Sequence, residues 1–111
     1  MTDVTAEGGL SLIKSHPADP GFIVLDVRTP SEYAAGHIKT ALDVDFRSSA
    51  FEEMLAKLDR KKTYLVYCGS GNRSRQAAEA MRRLQFLQVN NMTQGFSTFA
   101  ALPGAGPYLE P

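Results

Sequence analysis

The sequence predicts one α/β domain, built as a short parallel sheet of five strands with helices on both faces. Short apolar runs rich in β-branched residues alternate with segments of helical periodicity, which is the pattern of right-handed βαβ crossovers. The chain of 111 residues has a common domain size and contains no linker-like stretch or internal repeat. We therefore expect residues 1–111 to form a single domain that ends in a C-terminal tail at 103–111.

The first two elements are a helix and a strand. Residues 5–15 predict a weak helix, because Leu10 and Ile13 share one face while two glycines oppose helix formation. Phe22–Val27 is a mostly continuous apolar run, which is typical of a parallel strand covered on both faces. We expect this run to be a central strand.

A short helix is expected directly after that strand. Thr29 can cap it, Pro30 suits the first helical position, and Glu32 completes a capping box. Gly36 is a suitable stop for this helix. The alternation of apolar and acidic residues over 41–46 then predicts a brief second strand.

The second half of the chain repeats the alternation. From Ser49, capped reciprocally by Glu52, a helix is predicted by an apolar stripe of Phe51, Met54, Leu55 and Leu58. We expect the tail at 103–107, which has no periodicity, to lie over the surface or fray. The elements between are a buried strand at 63–67, a helix at 73–86, a strand at 87–92 and a short helix at 96–102.

Composition excludes several classes of function. Lys and Arg number 12, as do Asp and Glu, so the chain lacks the broad positive charge that binding to nucleic acid or an anionic membrane demands. No apolar run approaches the length that crosses a bilayer, and the N-terminus has no signal pattern. No His, Cys, Asp and Glu cluster has metal-ligand spacing, so no metal is expected. The single free cysteine favours a reducing compartment, and we expect a cytoplasmic protein.

The loop after the third long strand carries the strongest chemical signal. It leads from Cys68 into a helix, so backbone N–H groups of the loop and first helical turn can point at the sulfur. Gly69 and Gly71 permit the curled backbone, and the helix N-terminus favours a thiolate. Arg73 adds a permanent charge at the rim, able to bind an oxyanion. An inert buried cysteine is the alternative, but the order of strand, thiol, glycines, arginine and helix favours a nucleophile.

Two sequence blocks resemble the single-domain rhodanese family, the thiosulfate sulfurtransferases. They are Asp26-Val27-Arg28-Thr29-Pro30-Ser31-Glu32-Tyr33 through Gly36-His37-Ile38, and Tyr67-Cys68-Gly69-Ser70-Gly71-Asn72-Arg73-Ser74. The resemblance implies a rhodanese-like domain over 1–111, with Cys68 as the residue that accepts sulfane sulfur. It also implies that the persulfide and the donor are bound by the loop residues Gly69, Ser70, Gly71, Asn72, Arg73 and Ser74. Two departures concern structural turns: Thr40-Ala41-Leu42-Asp43 stands where the family usually has Gly-Ala-x-Asn after His-Ile-x, and Gln94-Gly95 replaces Gly-Gly.

Three further residues are candidates for supporting roles. Asp26 lies at a strand end near the loop, where it either holds Arg73 or a loop amide in place or caps a turn. Arg28 is expected to hold the motif together rather than touch substrate. His37 is expected to be structural, because an ionised Cys68 needs no general base to attack a sulfane sulfur.

The reaction implied is a double displacement without a cofactor. The partners are a small-molecule donor such as thiosulfate and an acceptor such as cyanide, a thiol or a protein cysteine. A Cys-based phosphatase or arsenate reductase is an alternative, but those enzymes resemble Cys-x5-Arg, whereas here the spacing from Cys68 to Arg73 is Cys-x4-Arg. A second alternative is a protein-binding or sulfur-relay module of the same fold.

Overall fold

A computed structural model describes all residues from 1 to 111. Strands and helices alternate along most of the chain, and a short 3-10 turn at Gly106–Tyr108 precedes the last strand. The elements in chain order are β1 (Thr2–Val4), α1 (Ala6–Ser15), β2 (Phe22–Asp26), α2 (Pro30–Ala34), β3 (His37–Ile38), β4 (Leu42–Asp43), α3 (Phe51–Ala56), β5 (Thr63–Tyr67), α4 (Asn72–Arg83), β6 (Gln88–Met92), α5 (Phe96–Ala100) and β7 (Leu109–Glu110).

Five of the strands form one sheet in the order β1-β6-β5-β2-β4, and every pairing in it is parallel. β5 lies at the centre, with Val66 opposite Leu25 of β2. The predicted five-stranded parallel sheet is therefore confirmed. β3 and β7 pair antiparallel in a separate two-stranded ribbon.

Helices cover both faces of the sheet, as predicted. The alternate side chains of β5 enter two different cores: Tyr64 and Val66 pack in the cluster that contains residues of α3 and α4, whereas Leu65 and Tyr67 pack in the cluster that contains residues of α1 and α5. A strand buried on both faces needs apolar side chains at consecutive positions. This is why the 63–67 segment is a continuous apolar run.

The start of α2 follows the sequence, whereas the start of α3 does not. The capping box is present: the Glu32 N–H donates to Thr29 Oγ1, and the Thr29 N–H donates to Glu32 Oε1. The prediction that Ser49 caps α3 is wrong, because this helix begins at Phe51 after the residue Ala50, with no side-chain cap. Two turns closed by backbone hydrogen bonds occupy residues 45–51 and delay the helix. The predicted stripe still packs inward.

Two further differences lie in short elements. The strand expected over 41–46 is only two residues long, and the N-terminal strand β1 was not predicted. Of the two outcomes expected for the tail, the structure shows it lying over the domain rather than fraying, because Ala105 is fully buried and Leu109–Glu110 pairs with His37–Ile38. None of the helices is long and apolar enough to cross a membrane.

Candidate active site

The site lies at the carboxyl edge of the parallel sheet, where ligand sites of such sheets are found. The central strand β5 ends at Tyr67 and delivers the chain to Cys68, while the neighbouring strand β2 ends at Asp26, directly opposite Tyr67. Adjacent strands thus bring Cys68 together with the sequence block that begins at Asp26.

Backbone N–H groups surround the Cys68 sulfur. The Gly71 N–H donates to Sγ at 3.0 Å, the Ser74 hydroxyl oxygen lies 3.6 Å from Sγ, and the Ser70 and Ser74 amides also hydrogen bond to it. Burial of the thiol acts to raise the pKa of Cys68, but these hydrogen bonds outweigh burial, so the pKa is lowered from its ordinary value. The geometry can hold a negatively charged sulfur.

Two glycines fix the shape of this cradle. Gly71 precedes α4 with φ of 99°, a conformation that side-chain-bearing residues rarely adopt, and a Cβ there would overlap the Thr93 carbonyl. Gly95 packs against the loop from below, and a Cβ on it would overlap the Gly69 carbonyl. The Phe96 N–H donates to the Cys68 carbonyl at 2.9 Å. The Cys68 loop is therefore seated on the segment 93–96.

The Arg73 guanidinium makes a two-armed ion pair with Glu32. Arg73 Nη1 lies 2.7 Å from Glu32 Oε1, and Nη2 lies 3.0 Å from Oε2. The hydrogen bond from Arg73 is the main cause that lowers the pKa of Glu32 to about 2, with burial opposing it and Thr29 adding to it. The permanent charge that Arg73 was expected to offer an oxyanion at the rim is thus balanced by the Glu32 carboxylate.

A buried network lies beneath the loop. The Asp26 carboxylate accepts hydrogen bonds from the Arg28 guanidinium, at 2.8 Å from Nη2, from the Arg28 backbone N–H, and from the Tyr67 hydroxyl at 2.6 Å. The Arg28 guanidinium also donates to the Gly36 carbonyl and stacks over Phe96. Of the two roles expected for Asp26, the structure shows the turn cap, through the Arg28 backbone N–H, and the carboxylate holds the Arg28 side chain rather than Arg73 or a loop amide.

The other candidate residues are distributed as follows. Ser70 and Asn72 are exposed on the outer side of the loop. His37 does not contact the loop: Nδ1 lies 2.8 Å from the Tyr33 carbonyl, the ring stacks on Tyr33, and Nε2 faces Glu110. Cys68 itself is fully covered. The cavities of the structure are lined by other residues, and no group of three metal-ligating side chains is present.

Sequence reasoning missed two contacts of the site. The first is the hydrogen bond from the Tyr67 hydroxyl to Asp26. Tyr67 was expected in a buried strand, where a tyrosine hydroxyl usually has a partner, and Asp26 was the nearest acceptor at a strand end. The pairing of Glu32 with Arg73 joins positions 41 residues apart, and no local signal in the sequence connects them.

Comparisons with known proteins agree with this geometry. A family model described as Rhodanese-like domain matches residues 10–102. The chain is 35% identical over 85 residues to a thiosulfate sulfurtransferase GlpE of Pseudomonas entomophila (strain L48), covering 76% of each chain. It is 29% identical over 82 residues to the thiosulfate sulfurtransferase PspE of Escherichia coli (strain K12), covering 74% of this chain and 79% of that one.

Solved structures show the same fold. A rhodanese-related protein from Thermoplasma volcanium superposes with a TM-score of 0.75 at 28% identity, covering 93% of this chain and 96% of that one. A rhodanese-like domain of an Anabaena protein superposes with a TM-score of 0.80 at 24% identity, covering 99% of this chain and 79% of that one.

Proposed function

The chain belongs to the rhodanese-like domain family, and from that premise we propose that it is a sulfurtransferase that carries sulfane sulfur as a persulfide of Cys68. The observation that carries the proposal is the set of N–H donors around the Cys68 sulfur, which lowers the pKa of the thiol although burial acts to raise it. A thiol of lowered pKa carries more thiolate, the nucleophilic form, at a given pH.

In the first step the Cys68 thiolate attacks the outer sulfur of thiosulfate or a similar donor. A bond forms between Sγ and that sulfur, the sulfur–sulfur bond of the donor breaks, and its electron pair leaves with sulfite. The product is a Cys68 persulfide with one negative charge. No proton has to be removed from the nucleophile, which agrees with the position of His37 away from the loop.

In the second step an acceptor takes the terminal sulfur. Cyanide, a small thiol or a protein cysteine attacks it, the bond to Sγ breaks, and Cys68 is released as a thiolate. The amides of Ser70, Gly71 and Ser74 are proposed to stabilise the charged sulfur between the steps, as an oxyanion hole stabilises a developing charge. The proposed reaction uses no cofactor, and a reducing compartment such as the cytoplasm favours the free Cys68 thiol that it starts from.

Access to the sulfur requires movement. Cys68 has no exposed surface, whereas the loop residues Ser70 and Asn72 are exposed. A donor therefore reaches Sγ only when the loop opens or the side chain rotates outward. Loops are the segments of a fold in which such motion costs least.

The alternatives receive less support. A phosphatase or arsenate reductase needs an arginine to bind a doubly charged oxyanion, but here both arms of Arg73 are occupied by Glu32. A purely binding module does not need a thiol of lowered pKa. A protein-to-protein sulfur relay is compatible with the proposed persulfide, with a protein cysteine as acceptor.

The test is direct, because Cys68 is the only cysteine of the chain. After incubation with thiosulfate, mass spectrometry should show the added mass of one sulfur atom, and cyanide should remove it as thiocyanate. Cys68→Ser, with an unchanged circular dichroism spectrum, should lose both the adduct and the transfer. The proposal fails if the wild-type protein gains no sulfur, or if the serine variant transfers it at the wild-type rate.

A further inference from the structure

The ion pair of Glu32 and Arg73 lies against the backbone of the residue that follows the nucleophile. A Cβ placed on Gly69 would lie 3.0 Å from Arg73 Nη2 and 3.6 Å from Glu32 Oε2. The Cys68 thiolate is close enough to contribute to the raised pKa of Arg73, after the larger effect of the bond to Glu32. The pair is thus part of the electrostatic surroundings of the reacting sulfur.

Both arginines near the site are neutralised by carboxylates. Arg28 is buried in its pair with Asp26, and the two arms of Arg73 are held by Glu32. Anion binding at Cys68 is left to backbone N–H groups, whose partial charges act only at short range. Backbone N–H groups can stabilise the single charge on a bound sulfur atom. They do not reach a second negative charge on the remainder of the sulfane donor.

We propose that Glu32 is a specificity-determining residue: by balancing the charge of Arg73, it sets the site for sulfane donors of low charge, such as organic persulfides and thiosulfonates, over doubly charged ones. This inference rests on the proposed sulfur transfer. Glu32 does not touch the transferred sulfur and acts through Arg73. Its role is electrostatic, and it predicts that the preference for donor charge changes when the carboxylate is neutralised.

Glu32→Gln isolates that charge. Glutamine can still accept the Thr29 N–H in the capping box and still hydrogen bond Arg73, so the fold of the motif is retained. Glu79→Gln is the matched control, because it also removes one carboxylate from an arginine pair, that of Arg75, on the exposed side of α4. Arg73→Gln makes the opposite change, since it leaves Glu32 unbalanced.

Two pairs of probes differ by one unit of charge within each pair. Iodoacetate and iodoacetamide alkylate Cys68 with the same leaving group, and the ratio of their rates does not depend on the fraction of thiolate. Thiosulfate and benzenethiosulfonate donate a sulfane sulfur with charges of −2 and −1. The alkylation ratio reports the charge at the site without sulfur transfer, and the ratio of kcat/KM values reports donor preference.

In Glu32→Gln, both ratios should shift toward the more negative probe by about fivefold, the factor expected for one partly screened charge, and the shift should shrink at high salt. Arg73→Gln should shift both ratios the other way, and Glu79→Gln should leave them unchanged. Ratios in Glu32→Gln that match those of the control would overturn the assignment of Glu32 while leaving sulfur transfer intact. Absence of sulfur transfer in the wild-type protein, with the alkylation ratios shifted, would overturn the proposed function and the donor preference with it.

Discussion

Gly95→Ala tests how the Cys68 loop is held. Gly95 has an ordinary extended backbone, with φ of −81° and ψ of −177°, so alanine brings no backbone strain there. Its Cβ, however, would overlap the Gly69 carbonyl and lie 2.8 Å from Ser70 N, closer than the 3.0 Å that real Cβ atoms respect. These neighbours are backbone atoms that cannot rotate away. The loop itself has to move.

The size of the effect follows from what the loop carries. Overpacking of this kind costs about 1–3 kcal/mol of unfolding free energy. The displaced segment includes Ser70 and leads to Gly71, whose N–H groups donate to Cys68 Sγ. Loss of these donors leaves burial to dominate, so the pKa of Cys68 should rise. The thiolate fraction at neutral pH falls accordingly.

The assay is the rate of iodoacetamide alkylation of Cys68 as a function of pH, with urea denaturation of the same samples. Gly95→Ala should unfold at lower urea and show a titration displaced to higher pH. Gly106→Ala is the matched control, because a Cβ there meets no atom within 4 Å. If Gly95→Ala retains the wild-type titration and loses no more stability than Gly106→Ala, the loop is not seated in the way described.

Three further substitutions test side chains at the carboxyl edge of the sheet and in the loop that follows it. Ser74→Ala removes a hydroxyl 3.6 Å from Sγ, so the pKa of Cys68 should rise and sulfur transfer at pH 7 should slow; an unchanged pH–rate profile would contradict this role. Tyr67→Phe removes the hydroxyl bonded to buried Asp26 and should cost about 1–3 kcal/mol in urea denaturation, whereas a loss below about 0.5 kcal/mol would show that the network contributes little. The pKa of Asp43 is raised to about 6, first by burial and then by the charge of Asp26, so its contribution to stability is lost as pH rises from about 4 through 6. Asp43→Asn should remove that dependence and be about 1–2 kcal/mol more stable at pH 7; equal stability of the two proteins at pH 7 would refute the shift.

The parts of the fold that the sequence predicted are those with local causes. The capping box of Thr29 and Glu32 needs only four consecutive residues, and the apolar run at 63–67 shows its burial on both faces directly. The failed cap at Ser49 shows the limit of such signals. Two backbone turns over 45–51 precede the helix, which begins at Phe51, so the capping pattern of Ser49 and Glu52 is present in the sequence without its side-chain hydrogen bond.

The cradle of the site was predictable for a similar reason. Strand, cysteine, glycines and helix N-terminus are contiguous in the chain, and together they direct amides at Sγ. Pairings across the sheet were not predictable. Arg73 had two carboxylates of the first sequence block, Asp26 and Glu32, as candidate partners, and it meets Glu32 because the fold places that residue beside the loop at Gly69.

The pairing of Asp26 with Arg28, and of Glu32 with Arg73, determines which charge lies beside the Cys68 loop. If Asp26 paired with Arg73, the Arg73 guanidinium would lie in the buried network beneath the loop, and its charge would no longer act beside Gly69. Because Asp26 is occupied by Arg28 and Tyr67, Arg73 stays at the level of Gly69 and pairs with the half-exposed Glu32 instead. A charge held by a partner at the surface can be changed by salt or by a single substitution at little cost in stability, whereas a substitution in the buried pair beneath the loop leaves an uncompensated buried charge. The outer pair is therefore the element through which the proposed donor preference can vary while the buried pair and the segment 93–96, on which the loop is seated, stay unchanged.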